Sequence, residues 1–224
     1  MKILHTSDWH LGHKLYGYDR TEEQLSFLNQ LKDIVVDQQP DLMVVSGDIF
    51  HTAAPPIDVQ TMFVESLLNI HQARPEMTIV VTAGNHDSYS RLEIDKSLWE
   101  SQNVFIIGNI AQNEDRTANY DAHIIEVRNN DQLKGYVAAV PYCFEQNFPQ
   151  VPEDITEERQ SYYFKALLQA IGERNTQGLP VVMMAHLTIQ NSDLTGHDGS
   201  IGNVSAIPLA DLSTGYDYLA LGHI

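Results

Sequence analysis

Five short apolar runs in this chain end alike, each giving out within a few residues onto a side chain able to bind a metal ion. Lys2 to Ser7 leads to Asp8 and His10, and Leu42 to Ser46 leads past Gly47 to Asp48. Thr78 to Ala83 leads past Gly84 to Asn85, His86 and Asp87; Pro180 to Ala185 leads to His186; Tyr218 to Leu221 leads past Gly222 to His223. β-branched runs alternating with segments of helical period specify an α/β domain, with strands buried between helices. In open α/β sheets, sites form outside the carboxyl ends of strands, so these distant residues can converge there. Glycine before the polar residue suits a sharp turn and a close approach.

Val104 to Ile107 and Gly135 to Val140 complete the predicted strands. Thr21 with Gln24 reads as a capping box, followed by an apolar face of Leu25, Leu28, Leu31 and Ile34. Ser90 with Glu93 repeats the signal before Leu92, Ile94, Leu98 and Trp99, predicting a helix to Ser101. Ile57 to Ala73, behind Pro55 and Pro56, and Glu157 to Gly172 are the remaining helices. The polar stretch from Ala111 to Asn130 reads as strands joined by exposed turns. Asn191 to Pro208 reads as a long surface loop, of a length that is often functional. No repeat or linker divides the 224 residues, so one domain is expected.

Charge narrows the function classes. With 13 Lys and Arg against 30 Asp and Glu, the net charge is -17, which disfavours a broad basic nucleic-acid surface. No Lys or Arg follows Arg174. The lone Cys143 cannot form an intrachain disulfide, and Lys2, His5, Asp8 and His10 stand where a signal peptide would be apolar. No apolar run approaches the roughly 20 residues of a membrane span. The expectation is a protein of the reducing cytoplasm with no membrane partner.

Carboxylate, imidazole and amide oxygen without thiolate suit Mn²⁺, Mg²⁺, Fe or Zn²⁺ in a mixed site rather than a structural zinc. The candidates are too many for one ion. Two ions about 3.5–4 Å apart, sharing a carboxylate, would use them all and would suit in-line hydrolysis of a phosphate ester. Singly, a strand-end Asp is more often a helix cap and a lone His a packed or surface residue. That plainer reading is kept for His5, His13, His71, His123 and His197. Chance does not readily produce the strand-end pattern five times.

Ser7-Asp8-Trp9-His10-Leu11-Gly12, Gly47-Asp48-Ile49-Phe50-His51, Gly84-Asn85-His86-Asp87, Ala185-His186-Leu187-Thr188 and Gly222-His223-Ile224 resemble, in order, the motifs of the calcineurin-like metallophosphoesterases. The resemblance covers nearly the whole chain and implies a four-layer αββα sandwich with mixed sheets. It assigns Asp8, His10 and Asp48 to one metal and Asp48, Asn85, His186 and His223 to the other, with Asp48 bridging and Mn²⁺ the expected ion. His86 would stabilise or protonate at the scissile phosphate, with Asp87 orienting its ring, and His51 would face the substrate. Ala185 stands where a glycine is frequent.

The family's last motif runs Gly-His-Ile-His. The sequence stops at Ile224, so the expectation is a domain cut inside that motif, without the capping domain and ATPase-binding segment, and with one metal bound weakly. The forms DWHLG, GDIF followed by Pro-Pro, GNHDS and HLT are most similar to the family's DNA nucleases. These imply DNA as substrate, an ATPase partner, and a homodimer built from Ile57 to Ala73 and Ser90 to Ser101, with Met62, Phe63, Leu67, Ile70, Leu92, Leu98 and Trp99 as the apolar patch. The alternatives are a phosphatase or small-molecule phosphodiesterase of the same superfamily, or a scaffold impaired in catalysis.

Overall fold

The computed structural model describes residues 1–152, 156–192 and 206–223. Strands β1 (Ile3–Thr6), β2 (Leu42–Ser46), β3 (Thr78–Thr82) and β4 (Val104–Ile107) pair in that order as a wholly parallel sheet. In the second sheet β5 (Ile124–Asn129) is antiparallel to β6 (Gln132–Ala139), which continues in parallel through β7 (Val181–His186) to β8 (Tyr218–Gly222). The helices are α1 (Thr21–Gln38), α2 (Ile57–Ala73), the short α3 (Tyr89–Leu92) and α4 (Lys96–Glu100), and α5 (Arg159–Arg174).

Side-chain alternation explains the layers. On β2, Met43 and Val45 cluster with Leu28, Leu31 and Val35 of α1 and with Phe63, Leu67 and Ile70 of α2. Their neighbours Leu42 and Val44 turn the other way and pack against Val137, Val182 and Met184 of the second sheet. There, Met183 and Ala185 face Phe164, Leu167 and Ile171 of α5. The order is therefore helices, sheet, sheet, helix, which is the expected αββα sandwich; one sheet is purely parallel and the other mixed. A strand buried on both faces must be apolar throughout, and each buried aliphatic side chain contributes about 1.5–3 kcal/mol. That packing holds the strand ends rigidly.

Several local expectations change. The buried stripe of α1 is Gln24, Leu28, Leu31 and Val35, while Leu25 and Ile34 are each 40% exposed. Residues spaced by three drift about 60° around a helix at each step, so 25, 28, 31 and 34 cannot share one face. Thr21 is the first helical residue rather than the cap; the N-cap position is Arg20, which makes no side-chain cap bond, and the preceding Asp19 carboxylate accepts the Thr21 amide at 2.9 Å. The helix expected from Ser90 splits into α3 and α4 because Glu93 is recruited elsewhere, accepting the Gly108 amide at 2.8 Å. The last helix begins at Arg159 rather than Glu157.

In the polar stretch, Asn130 and Asp131 both take positive φ, 47° and 64°, and close the β5–β6 hairpin as a two-residue turn. Of the side chains expected to form a dimer patch, Met62, Phe63, Leu67, Ile70 and Leu92 are buried in the domain's own core and Trp99 packs against it; Leu98 alone is exposed. Most of the Asn191 to Pro208 loop, and His197 with it, lies outside the described residues. Among the described residues, no helix is long and apolar enough to cross a membrane.

Candidate metal centre

The two sheets meet at their carboxyl-terminal edges. The Ser46 hydroxyl at the end of β2 donates to the Ala220 carbonyl on β8 at 3.0 Å, and the His186 Nδ1–H at the end of β7 donates to the Ser46 carbonyl at 2.8 Å. Beyond the strands, the loops after β1 and β2 stay zipped together: Asp8, His10 and Leu11 donate backbone N–H groups to Gly47, Asp48 and Ile49, and His51 donates back to Leu11. These bonds carry the strand register out into the site.

Four of the predicted ligands adopt left-handed backbone, with φ of 53° at Asp8, 45° at His10, 51° at Asp48 and 68° at His223. Such conformations cost on the order of 1–3 kcal/mol for a residue with a Cβ and persist where the surroundings enforce them, commonly at functional sites. Gly84 is required for a different reason. A Cβ there would collide with both the carboxylate and the backbone amide of Asp48. At Gly47, φ is 84° and a Cβ would strike the His186 ring.

The strand-end residues converge as two overlapping triads. Asp8, His10 and Asp48 place ligand atoms within 4.8 Å of one another, and so do Asp48, His186 and His223. Asp48 belongs to both. Its carboxylate is buried, accepts the His86 amide at 2.9 Å, and lies 3.4 Å from His186 Nε2 and 3.7 Å from His10 Nε2. Burial pushes its pKa up, but the His186 hydrogen bond and charge, with the His86 amide and His10, outweigh this and hold it below the usual carboxylate range. Asn85 completes the second group, its Oδ1 lying 3.1 Å from His186 Nε2.

His186 is oriented by its own hydrogen bond. Because Nδ1 donates to Ser46, Nε2 points at Asp48 and Asn85, two acceptors converging on one nitrogen. Burial lowers its pKa, yet the Asp48 hydrogen bond and charge, with the Ser46 carbonyl, outweigh this and hold it above the ordinary histidine value. His10 and His223 move the other way, burial holding both below the ordinary histidine value. Two carboxylates, three imidazoles and an amide oxygen in this arrangement fit a pair of divalent ions sharing Asp48.

Three further imidazoles stand beside this centre. The His86 ring lies 4.9 Å from His10 and 5.7 Å from His51, stacked on the latter, and His13 lies 4.5 Å from His51. His86 Nδ1 is 2.8 Å from the His51 carbonyl and must donate to it, which leaves Nε2 for the site. Asp87 therefore does not orient the His86 ring. Its buried carboxylate instead accepts the amides of Ile49, Phe50 and Gly84 at 2.8 to 3.0 Å, tying the loop after β2 to the loop after β3. Burial, with the Asp48 charge adding, raises its pKa to about 6 against these three donors.

His13, read from sequence as an ordinary histidine, is thus at the edge of the site. Gln24 is a second residue the sequence misplaced: it is no capping partner, but accepts the Gly12 amide at 3.0 Å and donates to the His10 carbonyl at 3.1 Å. The available signal was its position, four residues before Leu28, a polar side chain on the buried stripe. His5 bonds the Tyr218 hydroxyl at 3.0 Å, and His71 and His123 are buried in the fold.

Fold and site together define a metallophosphoesterase. Residues 1–224 match the family model of the calcineurin-like phosphoesterases, and the chain belongs to that family, whose members use divalent metals. Among individual proteins it is similar to SbcD, the D component of nuclease SbcCD, of Rhodobacter capsulatus, with 31% identity over 234 residues, covering all of this chain and 58% of that protein. The same component from Escherichia coli K12 is 30% identical over 236 residues and that from Bacillus subtilis 168 is 31% identical over 231, the chain covering 56% of each. The chain thus spans little more than half the length of the curated relatives it matches.

Proposed function

We propose that this chain is the phosphoesterase module of an SbcD-type DNA nuclease, hydrolysing phosphodiester bonds with two divalent ions, Mn²⁺ first among them. The observation that carries the reading is the sharing of Asp48 between two ligand groups, with His86 and His51 alongside. Asp8, His10 and Asp48 would hold one ion and Asp48, Asn85, His186 and His223 the other, supplying charge neutralisation at the phosphate and an activated water. His86, anchored through Nδ1, presents Nε2 to the substrate and in its protonated form donates to the developing oxyanion or the leaving oxygen. His51 and His13 extend that face, and Asp87 keeps the two loops in register.

A net charge of -17 is compatible with a DNA substrate because the formal count omits bound cations. The phosphate would meet metal rather than a basic surface. Affinity for duplex would then rest on an SbcC-type ATPase partner, acting in the cytoplasm in DNA repair or recombination. A homodimer, if these helices build it, would use the outward stripe of α2, Ile57, Val64 and Leu68, with Ile94 and Leu98, all exposed. Leu68→Glu with Leu98→Glu should then turn a sedimenting dimer into a monomer.

The decisive assay is Mn²⁺-dependent degradation of end-labelled DNA by the full-length natural protein. Degradation lost in Asp8→Ala and in His86→Ala is the expected result. A metal-loaded protein that leaves DNA intact but cleaves small phosphomonoesters would establish the phosphatase reading instead.

A further inference from the structure

Three imidazoles beside the two carboxylate-bearing groups form a third group that contains no carboxylate. His10, His51 and His86 each place a ligand nitrogen within 4.8 Å of the other two. They stand on three different loops, after β1, β2 and β3, and the backbone fixes each one. The His10 amide donates to the Asp48 carbonyl and the His51 amide to the Leu11 carbonyl, both at 3.0 Å, while the His86 amide donates to the Asp48 carboxylate at 2.9 Å. With Nδ1 committed to the His51 carbonyl, His86 can offer the group only Nε2. All three residues are half-buried, so their cluster is walled by protein yet reached from solvent. His13, also half-buried, has its ring 4.5 Å from that of His51 and stands next to the group.

We infer that His10, His51 and His86, with His13 in reach as a fourth ligand, form an inhibitory Zn²⁺ site. The inference rests on the phosphodiesterase reading, because it takes His86 and His51 as groups the reaction needs. Ligand chemistry selects the ion. Imidazole nitrogens favour Zn²⁺, whereas Mn²⁺ prefers sites with carboxylate oxygen, such as the two groups that share Asp48. Geometry permits it. Zn–N bonds of about 2.0–2.1 Å set tetrahedral ligand nitrogens about 3.3 Å apart, so nitrogens already within 4.8 Å close on the ion by less than about 1 Å per ring. An ion bound there ties up His86 Nε2 and His51 together, which removes the proton donor from the phosphate. His10 belongs also to the group of Asp8 and Asp48, so the same ion draws a ligand away from the first proposed metal position. Inhibition by Zn²⁺ is therefore opposed by Mn²⁺.

The test titrates the full-length protein with Zn²⁺ alone, read by competition with a chromophoric chelator, and with Mn²⁺ by calorimetry. Asp48→Asn, which impairs both carboxylate-bearing groups, should keep one tight Zn²⁺. Adding His51→Gln to that variant should weaken this binding by roughly 100-fold, at least the scale of losing a group that only supports a ligand. His51→Gln by itself should leave the Mn²⁺ isotherm unchanged, which also shows that it folds. In hydrolysis of bis(p-nitrophenyl) phosphate with Mn²⁺, Zn²⁺ should inhibit the wild type, and more Zn²⁺ should be needed as Mn²⁺ is raised. Equal Zn²⁺ affinity in Asp48→Asn with and without His51→Gln would overturn the site. Undiminished hydrolysis with the His51-dependent site filled would overturn its inhibitory role. Zn²⁺ binding that depends on His51, in a wild-type protein that hydrolyses no phosphodiester, would overturn the phosphodiesterase reading and leave the three-imidazole ion site standing.

Discussion

Gln24→Ala separates two accounts of one residue. If Gln24 were the third position of a capping box, its loss would cost about 1 kcal/mol or less of helix stability and leave the metals untouched. In the structure its amide spans the turn that carries His10, and truncation removes two hydrogen bonds. The consequences are unequal. The His10 carbonyl keeps the His13 amide as a donor at 3.0 Å, whereas the Gly12 amide loses its only side-chain acceptor. Two bonds at about 1 kcal/mol each, plus the partial cost of an unpaired amide, amount to about 2–3 kcal/mol.

A backbone turn no longer pinned behind His10 should also weaken, by roughly tenfold, the binding of the ion proposed for Asp8, His10 and Asp48. Urea denaturation should show a lower midpoint at unchanged slope, and calorimetric titration with Mn²⁺ should show weakened binding at the group that contains His10. Gln24→Met restores length and apolar volume without the amide, and should be nearly as damaging as alanine. A stability loss under about 0.5 kcal/mol, or metal binding identical to wild type, would refute the positioning role.

Further outcomes follow from the same geometry. Asp48→Asn should weaken both metal-binding events in a calorimetric titration, whereas Asp8→Asn should leave intact the one that uses Asn85, His186 and His223, because only Asp48 belongs to both groups. Gly84→Ala, by driving a methyl group into Asp48, should lower kcat/KM roughly 100-fold in a phosphodiesterase assay, the scale expected for ångström misplacement. His123, wholly buried, donates from Nδ1 to the Ala139 carbonyl and accepts the Ala111 amide at Nε2, both at 2.8 Å, so it must stay neutral. Burial lowers its pKa to about 4, below the ordinary 6.5. The folded state therefore holds fewer protons, and its contribution, full above pH 6.5, should fade as pH falls toward 4, by about 3 kcal/mol in all. His123→Gln should flatten that part of a stability-against-pH curve measured by urea denaturation.

Reading along the chain picked out the strands and the polar residues that end them, while the motif resemblance supplied the αββα class and the six residues proposed as ligands. A strand buried on both faces must be a continuous apolar run, and the polar residue that ends it is visible in one dimension. Asp8, Asp48 and His186 are legible for that reason. Tertiary structure alone decided what lies between the strand ends. Gln24 resembles a cap until α1 is docked against the turn at His10, and His13 resembles any surface histidine until His51 arrives from another loop. Asp87 follows His86 in sequence yet serves the amides of Ile49 and Phe50. The group of His10, His51 and His86 draws on three loops with no shared periodicity. Periodicity records burial along one element, whereas hydrogen bonds and cavities between loops depend on how separate elements are placed, and no local pattern encodes that placement.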